Sequence, residues 1–496
     1  MADNSQNFED FLANAKAANV VPVVETLPAD LLTPLAVYLK LAANAADSFL
    51  LESVEGGESL GRYSFIGVNP EMLVSGNDRQ TIVQKTNKAE TYETSLFDFL
   101  RGYFSDKKIG DVSDLPAFVG GAIGFFGFSC AGWFEKSLKR NQPENEDARL
   151  MFFRHVVAFD HAKQVIKIIS LIFTDEAKTS AELKNLYENA IAKNNELKEI
   201  LENQPIISPK IQDINSKSIE VQSNWKREDF ERAVLKIKES IAAGECYQVV
   251  LSQRFTRKTN ADAVSIYRAL RSLNPSPYMF LLKIGEQSIV GASPEMLVKC
   301  IDRKLEYRPI AGTRRRGATV AEDIFLAEEM RGDEKEVAEH LMLVDLGRND
   351  LGRVAKFGSV KVENLMSVEK YSHVQHLVSY LKADLREEFD CFDALAACFP
   401  AGTVSGAPKV RAIEIIQNLE PTARGIYSGA VGYIDYSGNL DVCIAIRTLV
   451  LENGAATIQA GAGIVADSVP ELEFEETVNK AKALLKTIEI AERNLS

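Results

Sequence analysis

Residues 429–463 read GAVGYIDYSGNLDVCIAIRTLVLENGAATIQAGAG, and they decide the fold class. Aliphatic and β-branched residues dominate 429–435, 442–451 and 456–461, while Ser437-Gly438-Asn439 and Asn453-Gly454 fill the gaps. Apolar runs punctuated by Asn/Gly turns predict adjacent antiparallel strands. One residue departs from the pattern. Arg447 lies inside the apolar run 443–450, where strand alternation puts it on the face shared by Ala445 and Leu449. A guanidinium there needs an anion, and a planar carboxylate serves best, whether it belongs to a ligand or to the protein itself.

Moving outward, the same character recurs at 247–255, 278–283, 288–292 and 296–299, and earlier at 80–85, 156–159 and 165–170. Helical spacing marks 227–243, ending at Gly244 as a left-handed cap, and 262–274. Residues 181–202, rich in Ala, Glu, Lys and Leu, predict one long exposed helix that Ser180 could cap. The stretch 204–223 carries two prolines and many Ser, Asn and Gln residues, and reads as a linker between portions 1–203 and 224–496. Runs of strands and runs of helices, without strand–helix alternation, predict an α+β fold rather than a doubly wound one.

The 496 residues are 46% hydrophobic and 26% charged, the balance of a globular protein. With 57 Lys plus Arg against 70 Asp plus Glu, the net charge of −13 argues against nucleic acid and anionic membranes as partners. Any anion site must therefore be built locally. The polar, acidic start has no secretory pattern, no apolar run is long enough to span a bilayer, and the six scattered cysteines form no Cys-x-x-Cys pair. A cytoplasmic protein with reduced thiols is expected.

Glu336 and Glu339 share one face of a predicted helix, and Glu473 and Glu476 share one face of another. Facing each other, two such pairs would gather carboxylate oxygens suited to a hard cation such as Mg²⁺; either pair alone reads first as a solvated helix face. Small-residue loops at 310–313, 400–408 and 459–463 could bring backbone N–H groups up to a carboxylate, or could be tight turns. His376, in an apolar stretch, is either a core histidine or a proton-transfer group. There is no phosphate-binding loop and no Ser/His/Asp or Cys/His nucleophile constellation.

These residues, with QVVLSQ at 248–253, GASPEML at 291–297, DLGRND at 345–350 and PAGTVSGAP at 400–408, resemble the chorismate-binding enzymes. Within that family they are similar to the anthranilate synthase component I branch. The resemblance covers nearly the whole chain and implies two layered antiparallel sheets with surrounding helices. It implies that Glu336, Glu339, Glu473 and Glu476 hold Mg²⁺, and that Gly312, Thr313, Tyr427, Arg447, Gly461, Gly463 and Lys480 bind chorismate. Glu295 then resembles the general acid for departure of the ring hydroxyl, with His376 and Thr403 lining the same site and His376 serving pyruvate elimination.

Gln248 stands where water-adding relatives carry a lysine base, and Ala311 stands where aminodeoxychorismate-forming relatives carry a lysine. Both favour an Mg²⁺-dependent lyase making anthranilate, on the way to tryptophan, over the alternative, aminodeoxychorismate synthase component I of the folate branch. Leu51, Glu52 and Ser53, with Pro277, Tyr278 and Met279, resemble a feedback site for L-tryptophan, completed by Val431, Gly432, Tyr433 and Cys443. The resemblance also implies a separate glutamine amidotransferase subunit, component II, in a heterotetramer.

Overall fold

The computed structural model describes residues 7–54, 61–86, 88–138, 147–206, 220–371 and 374–493. Among them lie two twelve-stranded sheets whose ladders are all antiparallel. The first runs from Val20–Pro28 at one edge, through Ser48–Glu52, Tyr278–Ile284, Gln287–Ser293, Thr448–Glu452 and Ala455–Ile464, to Gln248–Lys258 and Val221–Ser223. The second runs from Ile310–Arg315 through Val374–Asp384, Met296–Ile301, Leu440–Ile444, Ala430–Asp435 and Gly121–Phe126 to Lys88–Tyr92. Aromatic rings fill the space between them. Phe65 of the first sheet meets Tyr433 of the second with ring centroids 6.0 Å apart, and Phe49 meets Phe153 at 4.8 Å.

The division at 204–223 does not divide these sheets. Ser48–Glu52 pairs with Tyr278–Ile284 in the first, and Gly121–Phe126 pairs with Ala430–Asp435 in the second. Composition marked a boundary in the chain, but backbone pairing joins the two portions across it. Within the expected linker, residues 207–219 lie outside the described residues.

Two helices carry the acidic pairs. Glu334–Gly352 starts at Asp333, whose carboxylate accepts from the N–H groups of Lys335 and Glu336. Pro470–Arg493 packs on the strand Ala455–Ile464, burying Ala481, Leu484 and Ile488. The helix expected at 181–202 spans Ser180–Asn203 and is not exposed all round, since Tyr187, Ala190, Leu197 and Leu201 are buried. Thr179, not Ser180, caps it, because Thr179 and Glu182 form a reciprocal capping box.

The run 442–451 is not one strand. It splits into Leu440–Ile444 of the second sheet and Thr448–Glu452 of the first, with Arg447 between them at φ +49°. Arg447 therefore belongs to a crossover, and strand alternation does not set its direction. A left-handed backbone at a non-glycine residue is uncommon and cannot continue a strand. The chain makes a second crossover at 294–295, leaving Gln287–Ser293 of the first sheet for Met296–Ile301 of the second. Two hydrogen bonds zip the crossovers together: Ile444 N–H donates to Glu295 O at 3.0 Å, and Ala292 N–H donates to Arg447 O at 3.2 Å.

A fragment of residues 224–496 would expose Tyr278–Ile284 and Ala430–Asp435 as bare edges. It is expected to aggregate without a cooperative melt; a soluble fragment with one sharp thermal transition would show that the two portions fold independently.

Candidate active site

The paired crossovers bring Glu295 and Arg447 together. Glu295 is 8% exposed, and burial pushes its carboxyl up to about 7, partly offset by the Thr403 hydroxyl and the Arg447 guanidinium. Against an ordinary glutamate this favours the neutral acid by roughly 3 kcal/mol. Arg447 reaches solvent, yet surrounding protein holds its guanidinium below its usual pKa, with Glu295 acting the other way. A side chain both wetted and enclosed lines a recess. Thr403 Oγ1 is shielded and has no full hydrogen-bond partner among the described residues, a cost that a ligand oxygen would relieve.

His376 lies on the same recess, close enough for Arg447 to contribute to its lowered pKa, of which burial is the main cause. Its Nδ1 donates to Gly312 O at 2.8 Å, which leaves Nε2 of the neutral ring as an acceptor. Thr313 Oγ1 lies 3.1 Å from the same Nδ1. Tyr371 supports the ring edge-on at 5.5 Å, and its hydroxyl accepts from buried Arg308 at 2.8 Å and donates to Glu369 at 2.9 Å.

Two of the three expected loops are strands. Residues 310–313 belong to Ile310–Arg315, and 459–463 belong to Ala455–Ile464. Their glycines nevertheless open the backbone. The register with Val374–Asp384 slips between Ala311 and Thr313, so Gly312 at φ +61° is the extra residue of a bulge. In the other strand, Gly461 and Gly463 pair on one side with Ser252 and Val250. Pairing on the other side covers only 455–458, so among the described residues the edge at 459–463 is open where the chain departs at Arg447. A Cβ on Gly461 would stand 2.8 Å from the Tyr427 hydroxyl, and one on Gly463 would stand 2.5 Å from Gln248 Nε2. Tyr427 and Gln248 thus lie against the glycine edge.

The acidic pairs flank these groups. Glu336 Oε2 is 3.3 Å from where a Gly312 Cβ would be, and Glu336 Oε1 accepts from Arg314 at 2.9 Å. Burial raises the pKa of Glu339, and Glu336 and Glu476 raise it further; burial and Glu476 likewise raise that of Glu473. The two helices therefore share one electrostatic neighbourhood. Lys480 bridges it to the glycine edge, 2.7 Å from Glu476 and donating to Gly461 O at 2.9 Å. Among the described residues no three His, Cys, Asp or Glu side chains close into a metal cage.

A residue the sequence did not single out supports this floor. Arg424, 4% exposed, donates to Val404 O at 2.7 Å, Val250 O at 2.6 Å and Glu420 Oε1 at 2.7 Å. It ties the Thr403 segment to the strand beneath the glycine edge. In the sequence it stands only in the short polar stretch Glu420-Pro-Thr-Ala-Arg424, which carries no periodic signal, so only the fold reveals it.

Away from this recess, a cavity of about 310 Å³ lies between the sheets. Leu51, Glu52, Ser53, Pro277, Tyr278, Met279, Val431, Gly432, Tyr433 and Cys443 all line it, joined by Arg62, Lys299, Glu306 and Asp441. Ser53 Oγ is buried there without a hydrogen-bond partner among the described residues. Asp441, burial-raised, accepts from the Tyr278 hydroxyl at 3.0 Å.

The chorismate binding enzyme family profile matches residues 46–486, across both portions of the chain. The chain belongs to the chorismate-binding enzyme family. It is 46% identical to component 1 of anthranilate synthase from Acetivibrio thermocellus over 486 residues, 96% of this chain and 97% of that protein. Identity to component 1 from Pseudomonas aeruginosa strain PAO1 is 44%, over 99% of this chain and all of that one. The crystal structure of anthranilate synthase component I from Streptococcus pneumoniae TIGR4 superposes with a TM-score of 0.73 at 34% identity, covering 93% of this chain and 99% of that one.

Proposed function

We propose that this chain is the chorismate-converting subunit of an anthranilate synthase, turning chorismate and ammonia into anthranilate, pyruvate and water. The observation that carries the reading is the burial-raised Glu295 carboxyl held beside Arg447 in a recess edged by open glycine backbone. Full-length similarity to proteins named anthranilate synthase component 1 supports the same conclusion.

In this reading Arg447, Tyr427 and the Gly461–Gly463 edge receive the carboxylates of chorismate. Thr403 supplies a hydroxyl to the substrate, and Lys480 fixes the edge by its bond to Gly461 O. Glu295, with its carboxyl pushed up to about 7 and so largely protonated below neutrality, donates its proton to the ring hydroxyl as ammonia adds, so that the hydroxyl leaves as water. The free Nε2 of neutral His376 then takes a ring proton as pyruvate departs. Gln248, lying against Gly463, has no basic nitrogen to activate water, which favours ammonia as nucleophile. Ala311 leaves no lysine to divert the reaction toward aminodeoxychorismate.

The donor set suits Mg²⁺. Glu336, Glu339, Glu473 and Glu476 are hard oxygen donors that reach solvent, and the repulsion felt by Glu339 and Glu473 favours a cation between the helices. Mg²⁺ commonly keeps several waters and is held by a few carboxylates together with a substrate anion. When bound, it would polarise and neutralise the ring carboxylate of chorismate.

The second cavity fits L-tryptophan as a feedback inhibitor. Its apolar walls carry acidic Asp441 and Glu52 and basic Arg62 and Lys299, complementary to a zwitterion, and the Ser53 hydroxyl lies on the same lining. Its strands lead to the crossovers: Met279 pairs with Ala292, and Leu440–Ile444 runs on toward Arg447. Inhibition requires the occupied cavity to favour one arrangement of those strands. Glutamine would be hydrolysed by a separate amidotransferase subunit, in a heterotetramer. No helix among the described residues is long and apolar enough to cross a membrane, in keeping with a cytoplasmic setting.

Incubation with chorismate, ammonium and Mg²⁺ is expected to yield fluorescent anthranilate, and EDTA to stop it. Accumulation of aminodeoxychorismate would instead indicate the folate-branch enzyme. Because the raised carboxyl of Glu295 acts protonated, kcat/KM at constant free NH₃ should be highest below pH 7. It should fall as pH rises through about 7; a profile flat from well below to well above neutrality would remove Glu295 as the acid. Ser53→Leu should weaken tryptophan binding, measured calorimetrically, by roughly tenfold or more through loss of a polar contact and of space. Unchanged affinity would place the effector elsewhere.

A further inference from the structure

We propose that two buried salt bridges at the far ends of the acidic helices are registration pins: Asp350–Lys409 and Glu492–Arg257 set how far each helix carries its glutamates into the recess. This inference rests on the Mg²⁺ reading above.

Each helix has the same layout. Its acidic pair sits in the opening turns, and a single buried carboxylate sits in the last turns. Asp350, 2% exposed, accepts from Lys409 Nζ at 3.0 Å. Glu492 accepts from Arg257 Nη2 at 2.6 Å and from Thr259 Oγ1 at 2.7 Å, with both charged side chains under one-tenth exposed. A carboxylate near a helix C-terminus opposes the helix dipole, so neither residue is there to stabilise its own helix. Burying an ion pair is also a poor route to stability compared with apolar packing. What both pairs do provide is a fixed position along the helix axis.

Their partners lie on the elements that carry the substrate-facing groups. Lys409 directly follows the 400–408 segment that holds Thr403, and it also donates to Cys398 O at 3.3 Å. Close packing reinforces the alignment: a Cβ on Gly402 would stand 1.8 Å from Leu346 of the helix, and one on Gly347 would stand 2.6 Å from the Tyr307 ring. Arg257 lies on Gln248–Lys258, the strand whose other end pairs with Gly461 and Gly463. The pins stand about 16 Å from Glu339 and about 24 Å from Glu476 along their helices, at 1.5 Å per residue. They touch no substrate; they act as positioning residues. This also gives a role to Asp350, the last residue of the DLGRND motif, and to Gly347 within it.

The full-length chain tests this in five variants: Asp350→Asn, Asp350→Glu, Glu492→Gln, Glu492→Asp, and the control Glu71→Gln, which breaks the Arg154–Glu71 pair away from the recess. Two quantities are read for each: the rise in Tm caused by Mg²⁺ without chorismate, and the Mg²⁺ concentration half-saturating ammonium-dependent turnover. Asp350→Glu and Glu492→Asp keep the charge pair but shift it by one methylene. They carry the test even where the amide variants fail to fold. They are expected to melt cooperatively while needing about tenfold more Mg²⁺, the effect usual for groups that orient metal ligands. Glu71→Gln is expected to lose stability with its Mg²⁺ requirement unchanged. A normal Mg²⁺ response in both length variants would overturn the registration role alone. No Mg²⁺ response in the wild-type chain would overturn the metal reading and this inference with it.

Discussion

Two crossovers between the sheets, at 294–295 and 445–447, are held side by side by the bonds from Ile444 N–H to Glu295 O and from Ala292 N–H to Arg447 O. Everything chemical in the molecule is arranged around that junction. A chain passing from one sheet to another leaves its ladder, so its side chains and backbone face neither core. Here one crossover presents a carboxyl and the other a guanidinium. The strand that follows Arg447 begins pairing only at Ile458, which leaves the glycine edge free beside it.

The electrostatics follow from this placement. Glu295 is enclosed deeply enough to keep much of its carboxyl protonated up to about pH 7, and the Arg447 guanidinium stands near it. A carboxylate and a guanidinium in an open ion pair would neutralise each other. Burial on one side and solvent access on the other keep them distinct. The acidic helices approach from outside the sheets, and their mutual repulsion is offset by Arg314 and Lys480. The cavity between the sheets is lined by strands that lead into the same junction.

Much of this was legible in residue order. The strand–turn rhythm after residue 429 predicted antiparallel sheets, and helical spacing predicted the two helices that carry the Glu-x-x-Glu pairs. All ten residues expected around a tryptophan site line one cavity. What failed did so for physical reasons. The run 442–451 is uniformly apolar because both its halves are buried, and composition cannot show that they are buried in different sheets. The glycine-rich segments read as loops because glycine is a poor strand former, but here it is the close neighbours Tyr427 and Gln248 that require it. The linker at 204–223 looked like a domain boundary because local composition carries no information about pairing between residues hundreds of positions apart. Arg424 and the two helix pins escaped notice for the same reason.

A double-mutant cycle on Glu295→Gln and Arg447→Lys, read in kcat/KM for chorismate with ammonium, tests the junction most directly. If the two side chains act on one substrate in one transition state, the double variant loses far less than the product of the single losses. Losses that multiply without interaction would mean that the acid and the guanidinium work apart, contradicting the account.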